Sequence, residues 1–119
     1  MEEVAIFYSL IKDLCGGRVY PDIIPVQNKA TDPAMWPAIR YLVVSGQVEQ
    51  TNCYQAFNPR IQIDIYANTP QERMQCVQQV MDTLQDSKEE IDCVLKTAPF
   101  SAYDIDRQKY QATFDYMIF

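Results

Sequence analysis

Asn58–Leu84 reads NPRIQIDIYANTPQERMQCVQQVMDTL, and its hydrophobic period changes part-way along. Between Arg60 and Tyr66 the chain alternates, with Ile61, Ile63 and Ile65 set against Arg60, Gln62, Asp64 and Tyr66. A period of two places the isoleucines on one face of a β-strand and the polar set on the other. Beyond Asn68 the period becomes helical, with Val77, Val80, Met81 and Leu84 at i, i+3, i+4 and i+7. The junction is marked by Thr69 as N-cap and by Pro70 at the first helical position, where its missing N–H costs nothing. Glu72 completes a capping box. The stretch predicts a strand running straight into a capped helix.

Outward from this unit, the 119 residues suit one domain, 1–119, with one hydrophobic core. The formal charge is −6, and the ten Lys and Arg are scattered, which argues against a surface that grips nucleic acid. No segment has the length of apolar sequence a membrane span needs, and MEEVAIFY lacks the positive start of a secretory signal. A soluble protein made in a cytosol is expected. Cys15, Cys53, Cys76 and Cys93 are dispersed and the chain has no histidine, so a structural zinc site is not expected. The cysteines read as reduced, with Cys76 and Cys93 as small buried hydrophobes.

Taken in order, Glu2–Leu14 reads as a first helix with a stripe of Val4, Phe7, Ile11 and Leu14, stopped by Gly16-Gly17. Arg18–Pro21 is a short extended piece, followed by a proline-bearing loop, Asp22–Trp36. From Pro37 a strand is apolar on both faces through Val44, with a bulge at Ser45-Gly46. Thr51–Phe57 forms the end of an extended hairpin leading back into Arg60. After the second helix, Ile91–Lys96 is a strand candidate interrupted by Pro99, and Tyr103–Asp106 is a turn. Arg107–Phe119 alternates, with Tyr110, Ala112, Phe114, Tyr116 and Ile118 on one face. The expected fold is α+β: a mainly antiparallel sheet of about four strands with two helices on one face, an extended hairpin and a proline-rich loop.

Catalysis is hard to assemble here. Without histidine the commonest general base is missing, and three glycines, Gly16, Gly17 and Gly46, make no phosphate loop. The surviving enzymatic reading is a Mg²⁺-dependent nuclease holding its ion on Asp64, Asp104, Asp106 and Asp115. A solvated strand face and turn chemistry account for those carboxylates without a metal. The expectation is a protein that is not an enzyme and carries no cofactor or metal.

The ordered segments RVYP (Arg18–Pro21), PAIRY (Pro37–Tyr41), RIQIDIYA (Arg60–Ala67) and YDIDRQKY (Tyr103–Tyr110), closed by the alternating Gln111–Phe119, carry a resemblance. Over nearly its whole length the chain resembles the tail-completion (tail-terminator) proteins of long-tailed bacteriophages. The resemblance implies a structural virion protein at the tail–neck junction, made in the host cytoplasm. It would form a ring, usually hexameric, that caps the tail tube, ends its polymerisation and offers a surface for head–tail joining. Implied partners are further copies of itself, the tube protein and a neck or head-completion protein, with DNA passing through unbound. A neck or head-closure component of the same particle is the related alternative. Tyr54 and Phe57 near the hairpin end, Trp36 in the loop, and Tyr103, Asp104 and Asp106 at the turn are the expected self-association residues.

Overall fold

The computed structural model describes the backbone of residues 2–24, 33–51 and 54–119, and the side chains of 4–24, 34–44 and 59–119. Helix α1 (Glu2–Ile11) leads through a 3-10 turn (Leu14–Gly17) into strand β1 (Val19–Pro21), and a second 3-10 turn (Pro33–Met35) precedes β2 (Ala38–Thr51). Strand β3 (Tyr54–Ala67), helix α2 (Pro70–Asp86), β4 (Cys93–Asp104) and β5 (Lys109–Ile118) complete the chain. The sheet has five strands in the order β1-β2-β3-β5-β4, where about four were expected. The added strand is β1, three residues long and too short to show a period of its own. It is recruited by parallel pairing with β2, Val19 lying opposite Ile39. All other pairings are antiparallel.

The alternation at Arg60–Tyr66 sets the core. Ile61, Ile63 and Ile65 are fully buried and pack in one cluster with Ile39, Ala112, Phe114, Tyr116 and Ile118 from the neighbouring strands. The helices cover this same face, α1 through Phe7 and Ile11, α2 through Cys76, Val77, Val80 and Leu84. Burying each isoleucine contributes about 2–3 kcal/mol. The cap of α2 forms as its sequence predicts, since Thr69 Oγ1 accepts from the Glu72 N–H at 3.1 Å. The Glu72 carboxylate, however, reaches one residue further back than a standard box and accepts from the Asn68 N–H at 2.9 Å.

Other boundaries move for local reasons. Helix α1 stops at Ile11 instead of Leu14, because Cys15, Gly16 and Gly17 all take left-handed backbone angles (φ 54°, 66° and 84°). The glycines adopt that region freely, while Cys15 does so at a cost of about 1–2 kcal/mol. Strand β4 runs through Pro99 to Asp104, so Tyr103 and Asp104 are strand residues and the turn follows them. Proline is tolerated because β4 is an edge strand whose register shifts on either side of Thr97. The bulge expected at Ser45-Gly46 appears as a register shift between Val43 and Ser45.

Candidate functional site

The opposite face of the sheet carries the polar half of the alternation. Register places Arg40 on one side of Asp64 and Thr113 on the other. The Asp64 carboxylate is fully buried. It accepts from Arg40 Nε at 3.0 Å, from Thr113 Oγ1 at 2.8 Å and from Gln62 Nε2 at 3.1 Å, and Arg40 closes an ion pair through its second nitrogen. Burial works against the Arg40 cation, yet the hydrogen bond and charge of Asp64 more than offset it and raise the guanidinium pKa. Asp64 therefore departs from the solvated strand face expected of it. A hydrogen-bonded arginine, rather than water, compensates its charge.

A second pair, Arg60–Asp115, repeats the arrangement, with Arg60 Nη2 also 3.2 Å from Thr97 Oγ1. These residues, with Gln62 and Thr113, line a hollow of about 220 Å³. At the far end of the face Tyr66 packs edge-on against Trp36, ring centroids 6.1 Å apart, in a cluster with Ile24 and Ala38. Burial pushes the Tyr66 phenol above its usual pKa, with Arg40 opposing. Arg107 lies 5.0 Å over the Tyr66 ring and bonds Asp104 at 2.8 Å. Although burial acts against it, the hydrogen bonds and charge of Arg107 hold the Asp104 carboxyl below its usual pKa.

The carboxylates proposed for a metal are thus distributed. Asp64, Asp115 and Asp104 each face their own arginine, and Asp106 is exposed in the turn after β4. Among the described residues no group of three or more His, Cys, Asp or Glu is placed to hold a metal ion. Paired in this way, Asp64, Asp115 and Asp104 have the chemistry of a structural network.

The residues expected at contacts separate into three sets. Trp36 is 3 % exposed and packs within the chain itself. Tyr54 and Phe57 pair through their backbones with Thr51 and Val48, and their side chains lie outside the described residues. Tyr103 is exposed on the edge strand, stacked edge-on against Tyr110 at 5.1 Å, with Phe100 (67 % exposed) and Ile105 (79 % exposed) beside it in sequence. Phe100 and Ile105 escaped the sequence reading because only the strand order identifies β4 as an edge.

The long β2–β3 hairpin is the other feature of note. Strand β5 accompanies β3 only as far as Arg60, opposite Met117, and β1 accompanies β2 only as far as Tyr41. From Gly46 to Thr51, paired back to Tyr54–Pro59, the two strands have, among the described residues, each other alone. This arm is roughly 20 Å long at the usual rise per residue, on a molecule measuring 53 × 27 × 22 Å. At its base Val43 and Val44 are exposed. A two-stranded ribbon of this kind has little stability of its own in water.

No helix among the described residues is long and apolar enough to cross a membrane. No curated protein matches the chain significantly. The family model for tail completion protein gp17 matches residues 9–119, from within α1 to the final residue. That span takes in the whole sheet, the hairpin arm, the paired polar face and the β4 edge. The chain belongs to the tail completion protein gp17 family of bacteriophage tail proteins.

Proposed function

We propose that the chain assembles into a closed ring, most simply a hexamer, that caps the tail tube, stops its polymerisation and presents a surface for head–tail joining. The observation that carries this reading is the projecting β2–β3 arm, whose pairs beyond Arg60 have no third strand. A head-to-tail contact needs two different patches on each subunit. The arm supplies one. The exposed Phe100, Tyr103 and Ile105 on and after the open β4 edge supply the other, where a neighbour's arm would gain apolar cover. Trp36, being buried, has no part in this contact. The partners are further copies of the chain, the tube protein and a neck or head-completion protein. A net charge of −6 suits a lumen through which DNA slides without being held.

The test is assembly. Wild-type protein across a concentration series, with and without tail tubes, should give rings or capped tube ends by light scattering and negative-stain microscopy. Tyr54→Ala with Phe57→Ala should keep the monomer folded and abolish both. A wild-type chain that stays monomeric and never caps a tube overturns the reading, as does a double variant that caps normally.

A further inference from the structure

Cys15 and Cys76 lie 61 positions apart, yet their sulfurs are 3.4 Å from each other, one thiol donating to the other. Both are buried, Cys15 in the 3-10 turn after α1 and Cys76 on the core stripe of α2. Cys15 is held at φ 54° and ψ 38°, a conformation glycine would take without cost, and that turn directs its side chain onto α2. The Arg18 guanidinium folds back over Gly16, where an added Cβ would meet it at 2.8 Å, and its Nε is anchored on the Pro37 carbonyl at 2.8 Å. The hydrogen bond from Cys15 lowers the Cys76 pKa and raises that of Cys15; burial works against the thiolate of each, as does Glu72, while the Arg18 charge favours it. Two thiols in contact, one made the readier nucleophile, is the arrangement disulfide chemistry requires.

We propose that Cys15 and Cys76 are a latent disulfide that closes when the protein meets a small two-electron oxidant such as hydrogen peroxide, stapling the segment after α1 to α2. The Cys76 thiolate attacks one peroxide oxygen, forming an S–O bond and releasing hydroxide. The Cys15 sulfur then displaces the sulfenic oxygen as water, forming the S–S bond. Overall two thiols lose two electrons and two protons, and one peroxide becomes two waters. The sulfurs need to approach by only about 1.4 Å. The staple would tie α1, which lies outside the sheet and packs on it through Phe7 and Ile11, more firmly to α2. In a reducing cytosol the pair remains as thiols; a tail protein meets oxidant once its particle leaves the cell. The proposal rests on the fold and is independent of ring formation.

Treating purified protein with hydrogen peroxide, followed by peptide mapping without reductant, tests it. A Cys15–Cys76 peptide with the loss of two hydrogens should appear first. Free thiols should fall from four to two, and Tm should rise by about 15 °C, because the loop closed is long. Dithiothreitol should reverse both changes. Cys15→Ser should remove the cross-link and the Tm rise, while Cys93→Ser retains them. Oxidation or cross-linking of Cys53 or Cys93 ahead of the pair overturns the proposal, as does a cross-link that leaves Tm unchanged. The peptide map on wild-type protein decides the matter even where a serine variant folds poorly.

Discussion

Replacing Asp64 with alanine separates a buried ion pair from a solvated strand face. The substitution leaves the Arg40 guanidinium, 26 % exposed at its side chain, without its counter-charge, and strips an acceptor from Thr113 and Gln62. Breaking a fully buried pair costs about 3–5 kcal/mol. Because Arg40 keeps some contact with water and can turn towards it, the lower end applies, about 3 kcal/mol. With an unfolding entropy of about 2.1 cal/mol/K per residue over a chain of this size, that lowers Tm by about 12 °C. A solvated pair would cost at most about 1 kcal/mol, or about 4 °C. Replacing both partners, Arg40→Met with Asp64→Leu, removes the desolvation penalty together with the attraction and should leave stability within about 1 kcal/mol of wild type. Urea unfolding followed by the single tryptophan is a suitable assay, since Trp36 packs against Tyr66, two residues along β3 from Asp64. An Asp64→Ala loss under 1 kcal/mol, or a double variant as unstable as the single one, would refute the reasoning.

On the core face, Ile63→Asp buries an unpaired charge at a fully buried position and should leave the chain unfolded or insoluble, checked by circular dichroism of the recovered protein. Gln62→Glu exchanges a donor to Asp64 for a like charge at about hydrogen-bonding distance; a loss of about 1–2 kcal/mol in urea is expected, where a free surface position would show none. The folded-state pKa of Asp104 lies below its unfolded value, so its pairing with Arg107 stabilises the fold above about pH 4–5 and is lost as pH falls through the depressed value. Asp104→Asn should accordingly lower Tm at pH 7 and converge with wild type once the pH has fallen below that depressed value. Thr69→Ala removes the α2 cap and should cost about 1 kcal/mol in thermal unfolding, with the helix retained.

The sequence by itself determined the parts of this protein that repeat over short distances. Period two at Arg60–Tyr66 and Gln111–Phe119, and the helical period after Pro70, identify which residues meet the core, because burial on one face imposes that spacing on any strand or helix. The Thr69 cap was equally legible, being satisfied within a single turn. Tertiary structure alone decided what depends on register and strand order. Arg40 meets Asp64 because β2 and β3 pair in one register, and nothing in either segment announces it; a polar residue on a strand reads the same whether water or an arginine meets it. Strand β1 exists through its neighbour, the edge position of β4 follows from the full strand order, and Trp36 is buried by a residue 30 positions away. The contact of Cys15 with Cys76 belongs to the same class. Two dispersed cysteines carry no spacing signal, and only the packing of the turn after α1 against α2 brings their sulfurs together.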